Sequence, residues 1–146
     1  MSGIGRILAI DYGERRIGLA LSDALGITAQ PLPTYLRKDL AADLEHFKTL
    51  VRDEGVTELL IGLPLKLDGA EGPAVEKVRA FKTLLEAALG MPVAELDERM
   101  TTKQAARDLR GFGGRASDQR RRGELDRAAA QILLGVYLGM RARPAV

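Results

Sequence analysis

Cysteine and tryptophan are missing from this 146-residue chain, and it has a single histidine, His46. Without a thiol there is no disulfide, thiolate zinc site or cysteine nucleophile, and the redox compartment is left open. A Ser-His-Asp arrangement would have to rest on His46 alone. Glu45 and Phe47 flank that residue in a helical pattern, which predicts a solvated helix position. Aromatic residues make up only 4% of the chain, so the core must be built from Leu, Ile, Val and Ala. Extensive base stacking is then disfavoured, and any nucleic-acid contact is mainly electrostatic. Long apolar runs are scarce too: Ala128 to Met140 is interrupted by Gln131. It falls short of the roughly 20 residues that span a bilayer and reads as a core helix, with no membrane association. The first ten residues lack a basic start followed by an apolar block, which predicts a cytoplasmic protein.

What is present is an ordinary balance, 46% hydrophobic and 29% charged, with a net charge of +2 and a pI near 9.1. That suits one domain over residues 1–146. The stretch RILAIDYGERRIGLALSD (6–23) reads as a hairpin: Ile7 to Ile10 form an apolar strand ending on Asp11, Tyr12 to Arg16 turn, and Ile17, Leu19 and Leu21 alternate with Gly18, Ala20 and Ser22. Gly13 serves the turn. Gly18 leaves one face of the return strand nearly bare, as strands do where a ligand or another backbone comes close or where the strand is merely weakened.

Ile27 to Tyr35, with Pro31 and Pro33, predicts an edge strand. Asp39 caps a helix with Leu40, Leu44, Phe47, Leu50 and Val51 on its apolar face, and Gly55 stops it. Thr57 to Leu63 is a buried strand, parallel to the first because a helix connects them. After the loop 64–72, Pro73 opens a helix whose apolar face comprises Val75, Val78, Phe81, Leu84, Leu85, Ala88 and Leu89, ending at Gly90. Pro92 to Asp97 is a further strand. Thr101 and Gln104 have capping-box spacing for a short helix to Leu109, Gly111 to Gly123 reads as an arginine-rich loop, and a last helix runs from about Glu124 to Arg141.

Three acidic positions stand at element ends: Asp11, the pair Asp97-Glu98, and Asp126 in the first turn of the last helix. Alone, each has a local explanation in helix-dipole complementation or surface ion pairs. Together they have the form of a Mg²⁺ or Mn²⁺ site, since such ions take one or two carboxylates along with water and substrate phosphate. A pair of ions about 3.5–4 Å apart clamps the attacking and leaving oxygens of a phosphodiester. Strand alternation puts Glu98 on the face of Ala94 and Leu96, which makes it the inward candidate, with Asp97 beside it as a further ligand candidate. The segment from Lys103 to Arg122 has seven basic residues (Lys103, Arg107, Arg110, Arg115, Arg120, Arg121 and Arg122) against two acidic ones. Lying between two of the acids, it is placed to hold a polyanion's backbone. Arg15, Arg16, Lys66 and Arg99 are further candidates for nucleic-acid contact.

AIDYGERRIGLALSD, IGLPLKLDGAEGPAVEKVRAF, LDERMTT and ELDRAAAQILLGVYL, in that order and spacing, resemble the four signature blocks of the YqgF/RuvX family. These are the pre-16S rRNA nuclease or Holliday junction resolvase-like proteins. The resemblance covers nearly the whole chain. It implies an α/β, RNase H-like fold: a five-stranded mixed sheet flanked by helices, its first three strands antiparallel. It also implies metal-assisted hydrolysis leaving a 5′-phosphate and a 3′-hydroxyl, with the family's three acids falling on Asp11, Glu98 and Asp126. Lys66 stands where many members have Asn, and Met100 where Leu is usual. The expected activity is processing of the 5′ end of pre-16S rRNA, and the alternative is resolution of four-way DNA junctions, for which a homodimer suits the two-fold substrate. Of a different class is a nucleotide-binding protein, because Asp11-Tyr12-Gly13 with Gly18 resembles the phosphate hairpin of actin-like and sugar-kinase ATPases. Those bind nucleotide between two such domains, and this chain has room for one. A nonenzymatic RNA-binding assembly factor is the remaining reading.

Overall fold

The computed structural model describes residues 5–101 and 118–142, and in the last helix the described side chains run from Ala128 to Arg141. Among the described residues, six strands and three long helices follow in the order β1 (Arg6–Asp11), β2 (Arg16–Ser22), β3 (Ala29–Pro31), β4 (Tyr35–Leu36), α1 (Leu40–Glu54), β5 (Val56–Leu63), α2 (Pro73–Leu89), β6 (Val93–Asp97) and α3 (Asp118–Ala142). The sheet order is β3-β2-β1-β5-β6, with β4 also paired to β2. β1 is antiparallel to β2 and parallel to β5, and β5 is parallel to β6. The expected edge strand is split in two, because prolines at 31 and 33 remove ladder donors around Leu32. Between the pieces the Leu32 N–H donates to Leu19 O at 2.9 Å and continues the pairing.

Period-two alternation sorts the strand residues onto two faces. Leu8, Ile10, Ile17, Leu19, Leu59 and Ile61 pack against Phe47 of α1 and Val75, Val78, Phe81 and Leu85 of α2. Ile7, Ala9, Ala20, Leu60 and Leu96 face Ala130, Leu133, Leu134 and Leu138 of α3. Full burial of one such aliphatic side chain is worth roughly 1.5–3 kcal/mol, so both faces contribute heavily to stability. Ala9 and Ala20 contribute little bulk and let α3 sit close to the sheet.

The caps are as the sequence indicates. Asp39 accepts from Ala42 N at 2.8 Å, Gly55 and Gly90 close α1 and α2 at φ of 65° and 67°, and Pro73 opens α2. Elsewhere the structure corrects the sequence reading. Leu84 and Leu40 are about 40% exposed, outside the buried stripes of their helices. The place Leu40 was expected to share is taken by Asp43, which is fully buried. His46 is half-buried and stacks on Tyr35 at 4.1 Å between ring centroids; burial pushes its pKa below the usual histidine value. Helical backbone already begins at Arg99, before the expected cap at Thr101, because Asp97 Oδ1 accepts from Arg99 N at 2.9 Å. α3 starts at Asp118, so Arg120, Arg121 and Arg122 are on helical backbone rather than in a loop. Lys103, Arg107, Arg110 and Arg115 lie outside the described residues, as does the rest of the expected helix to Leu109. No helix among the described residues is long and apolar enough to cross a membrane.

Candidate active site

Asp11 is the last residue of β1, with its Cα opposite that of Gly18 in β2. Alternation from Ile7 and Ala9 puts it on the α3 face of the sheet. On the other side of β1, Ile10 is level with Ile61 of β5, so Gly62 comes next to Asp11. Gly62 in turn is level with Leu96 of β6. Glu98 follows that strand by one residue. Its N–H donates to Leu63 O at 3.0 Å, and its carbonyl accepts from Thr101 N at 2.9 Å and Thr101 Oγ1 at 2.7 Å. The turn is therefore held from both sides.

From there the Glu98 side chain crosses β5 at Gly62. A Cβ at position 62 would lie 2.6 Å from Glu98 Oε1 and 2.8 Å from its Cγ, so only glycine leaves the carboxyl this path. At its end Glu98 is hydrogen-bonded to Asp11. Burial raises the Glu98 pKa, the Asp97 charge adds to the rise, and the bond to Asp11 works against it. Two carboxyl groups in mutual hydrogen bond need a proton or a cation between them, because two bare charges so placed repel. An all-oxygen pair of this kind fits a hard divalent cation. Among the described residues no group of three or more His, Cys, Asp or Glu side chains converges; Asp11 and Glu98 form a pair.

The paired charge has a cost in stability. A carboxyl whose folded pKa is raised destabilises the fold as pH rises through that value, since the unfolded chain gives up the proton more readily. Glu98→Gln is therefore expected to raise Tm at pH 7–8. Thermal unfolding at pH 5 and pH 8 checks it: the gain should shrink at the lower pH. Gly62→Ala should lower Tm, since the added Cβ would displace the buried Glu98 side chain from its Cγ outward. By moving the carboxyl it should also slow a reaction at this site about 100-fold, as small misplacements of a reacting group do, in a rate assay against wild type.

The other sequence candidates are distributed differently. Asp97 does not join the pair: it is bonded to Arg99 through Nη2 at 2.7 Å and Nε at 2.9 Å, which lowers its pKa. Arg99 also donates to Leu67 O at 3.4 Å, tying the β6 turn to the loop after β5. Lys66 is in that loop, in a tight turn closed by Gly69 N to Lys66 O at 2.8 Å, with its stem over Gly72. Arg15 is exposed in the β1–β2 turn, and Arg16 pairs with Leu36 of β4. Gly13 is required by its own hairpin, since a Cβ there would meet Arg16 O at 2.2 Å. The side chains of Asp126, Arg120, Arg121 and Arg122 lie outside those described. Sequence reasoning missed Gly62. The available signal was a glycine inside the apolar run TELLIGL, where a strand has no local need for one.

A family model described as "RuvX: Holliday junction resolvase" matches residues 5–140. The chain belongs to this family. A curated relative from Syntrophus aciditrophicus, named "Putative pre-16S rRNA nuclease", is 50% identical over 133 residues, 91% of this chain and 87% of that protein. Another of the same name, from Moorella thermoacetica, is 49% identical over 133 residues, 91% of this chain and 94% of that protein. Among solved structures, T. thermophilus RuvC in complex with a Holliday junction substrate superposes with a TM-score of 0.57 at 17% identity, covering 94% of this chain and 95% of that one. At that identity the likeness concerns the fold. This RuvX-family chain is α/β and RNase H-like, as its four sequence blocks imply.

Proposed function

We propose that the chain is a divalent-metal-dependent endonuclease acting on the 5′ end of pre-16S rRNA, with Asp11, Glu98 and Asp126 as the acids that hold Mg²⁺ or Mn²⁺. The observation that carries this reading is the meeting of Asp11 and Glu98 across Gly62. Backbone placement supports the third acid. Position 126 precedes the buried Ala130 by one helical turn, on the stripe that continues through Leu133, Leu134 and Leu138. The other end of α3 is anchored at the start of β5, where Tyr137 and Arg141 donate to Glu58 at 2.5 Å. Along its length α3 packs on β1, β2 and β3.

A bound divalent ion there would act as a Lewis acid toward the phosphoryl oxygens and lower the pKa of water at the site. The chain's own part is electrostatic and steric. Asp11 and Glu98 present carboxyl oxygens beyond the C-terminal ends of β1 and β6, Gly62 keeps the space between them free of a side chain, and Arg15, Arg16 and Lys66, with the basic residues counted between Lys103 and Arg122, are the charges offered to a phosphate backbone. Arg99 serves chiefly to brace Asp97. Resolution of four-way DNA junctions is the second reading, supported by the description of the family model and by the junction substrate in the RuvC title. It calls for a homodimer.

The deciding experiment offers the purified protein, with Mn²⁺ or Mg²⁺, a precursor-rRNA 5′ segment and a four-way DNA junction side by side, using Asp11→Asn as control. Metal-dependent cleavage of the RNA by the wild type alone supports the first reading, and paired symmetrical cuts in the junction the second. Cleavage of neither, or equal cleavage by the variant, overturns the nuclease assignment.

A further inference from the structure

On the α1 side of the β1–β2 turn, a buried polar cluster is arranged around the residue that follows Asp11. Asp43 is fully buried in α1 and accepts from Tyr35 Oη at 2.8 Å, Lys38 N at 2.8 Å and Arg37 Nε at 3.0 Å. This fixes the Arg37 guanidinium on one edge. Its Nη1 is left to donate to Tyr12 Oη at 2.9 Å and to Gly13 O at 3.3 Å. The guanidinium carbon is 5.2 Å from the centroids of both Tyr12 and Phe81, whose rings lie 4.9 Å apart. Tyr12 and Gly13 directly follow Asp11, so the cluster grips the backbone from which the acid projects.

We infer that Arg37, oriented by Asp43, is a positioning residue that holds the Tyr12-Gly13 turn and through it sets the place of Asp11 against Glu98. The inference rests on the nuclease reading above for its catalytic meaning, but its geometric core does not. A fold needs no charged bridge here for packing: Tyr12 already packs against Phe81 in a tilted ring pair. The guanidinium adds direction, because its planar fork meets Asp43 on one side and the turn on the other. The Asp11 carboxyl and the Arg37 cluster lie on opposite faces of β1, so a shift of the turn transmits through the backbone rather than through direct contact.

Tyr12→Phe keeps the ring and removes only the oxygen that Arg37 reaches. Arg37→Lys keeps the charge beside Asp43 and loses the fork. Each variant is expected to speed amide hydrogen exchange at residues 12–16 at least tenfold while Tm stays within about 3 °C, and to weaken Mn²⁺ binding by calorimetry about threefold to tenfold. Cleavage should lose kcat by about tenfold with KM unchanged, and the double variant should be no worse than either single one, as members of one bridge behave. Wild-type exchange at residues 12–16 in both variants overturns the inference, as does additive loss in the double variant. If the wild type itself binds no Mn²⁺ and cuts neither substrate, the nuclease reading falls, and the exchange measurement still judges the positioning role.

Discussion

Asp11→Asn is expected to abolish metal-dependent cleavage, with a rate loss of roughly 10³-fold or more, equivalent to about 4 kcal/mol of transition-state stabilisation. The fold should survive. Asp11 is at the end of β1, outside both apolar clusters, and its replacement by the isosteric Asn removes an acid from the crowded carboxyl pair rather than a packing contact. Tm at pH 7 should therefore hold or rise slightly, for the same reason that Glu98→Gln raises it. Added Mn²⁺ should stabilise the wild type thermally and do so much less for the variant, because a ligand that binds only the folded state raises its apparent stability. A nuclease assay combined with unfolding curves, with and without Mn²⁺, checks all three expectations. Full activity in the variant sinks the assignment of Asp11.

Asp43→Ala should have the largest effect on stability, a loss of about 3–5 kcal/mol, because the Arg37 charge and the Tyr35 hydroxyl are then left buried without their acceptor. Denaturant unfolding measures it, and a Tm drop of roughly 10 °C is the corresponding thermal result. Burial alone pushes the Asp43 pKa up, but the Lys38 N–H, the Tyr35 hydroxyl and Arg37 outweigh it, and the net shift is downward. Burial and the facing Asp43 charge drive the Tyr35 pKa up to about 12, so its hydroxyl remains a donor throughout the neutral range. With a depressed folded pKa, the Asp43 contribution is complete above the usual carboxylate value of 3.8 and is lost as pH falls through the lower folded value. Asp43→Asn should accordingly show a shallower acid-side fall in stability than the wild type, as well as a lower plateau.

Strand and helix placement was legible because it depends on short-range rules. Asp39, Gly55, Pro73 and Gly90 act within one turn of themselves, and the alternation in Arg6–Asp11 and Arg16–Ser22 needs no knowledge of what lies opposite. The errors occurred where a partner distant in sequence overrode the local pattern. Leu40 is outside the α1 core face because Asp43 is inside it, and Asp43 is inside because Tyr35 and Arg37 supply its donors from β4 and the chain just after it. His46, which reads as a solvent-facing residue, stacks on the same Tyr35. The early start of α3 at Asp118 escaped the reading because glycine and arginine around Gly123 mask a helical backbone when composition alone is weighed.

The sequence by itself determined the family and most of the order of the elements and singled out Asp11, Glu98 and Asp126 as candidates, since four motif blocks in register and period-two alternation are properties of the chain alone. Which acid beside the end of β6 meets Asp11 was decided by tertiary structure. Glu98 reaches it because the parallel register brings Gly62 between the two, and a Cβ at that position would collide with the Glu98 side chain. Asp97, one residue away, is held by Arg99 and takes no part in the pair.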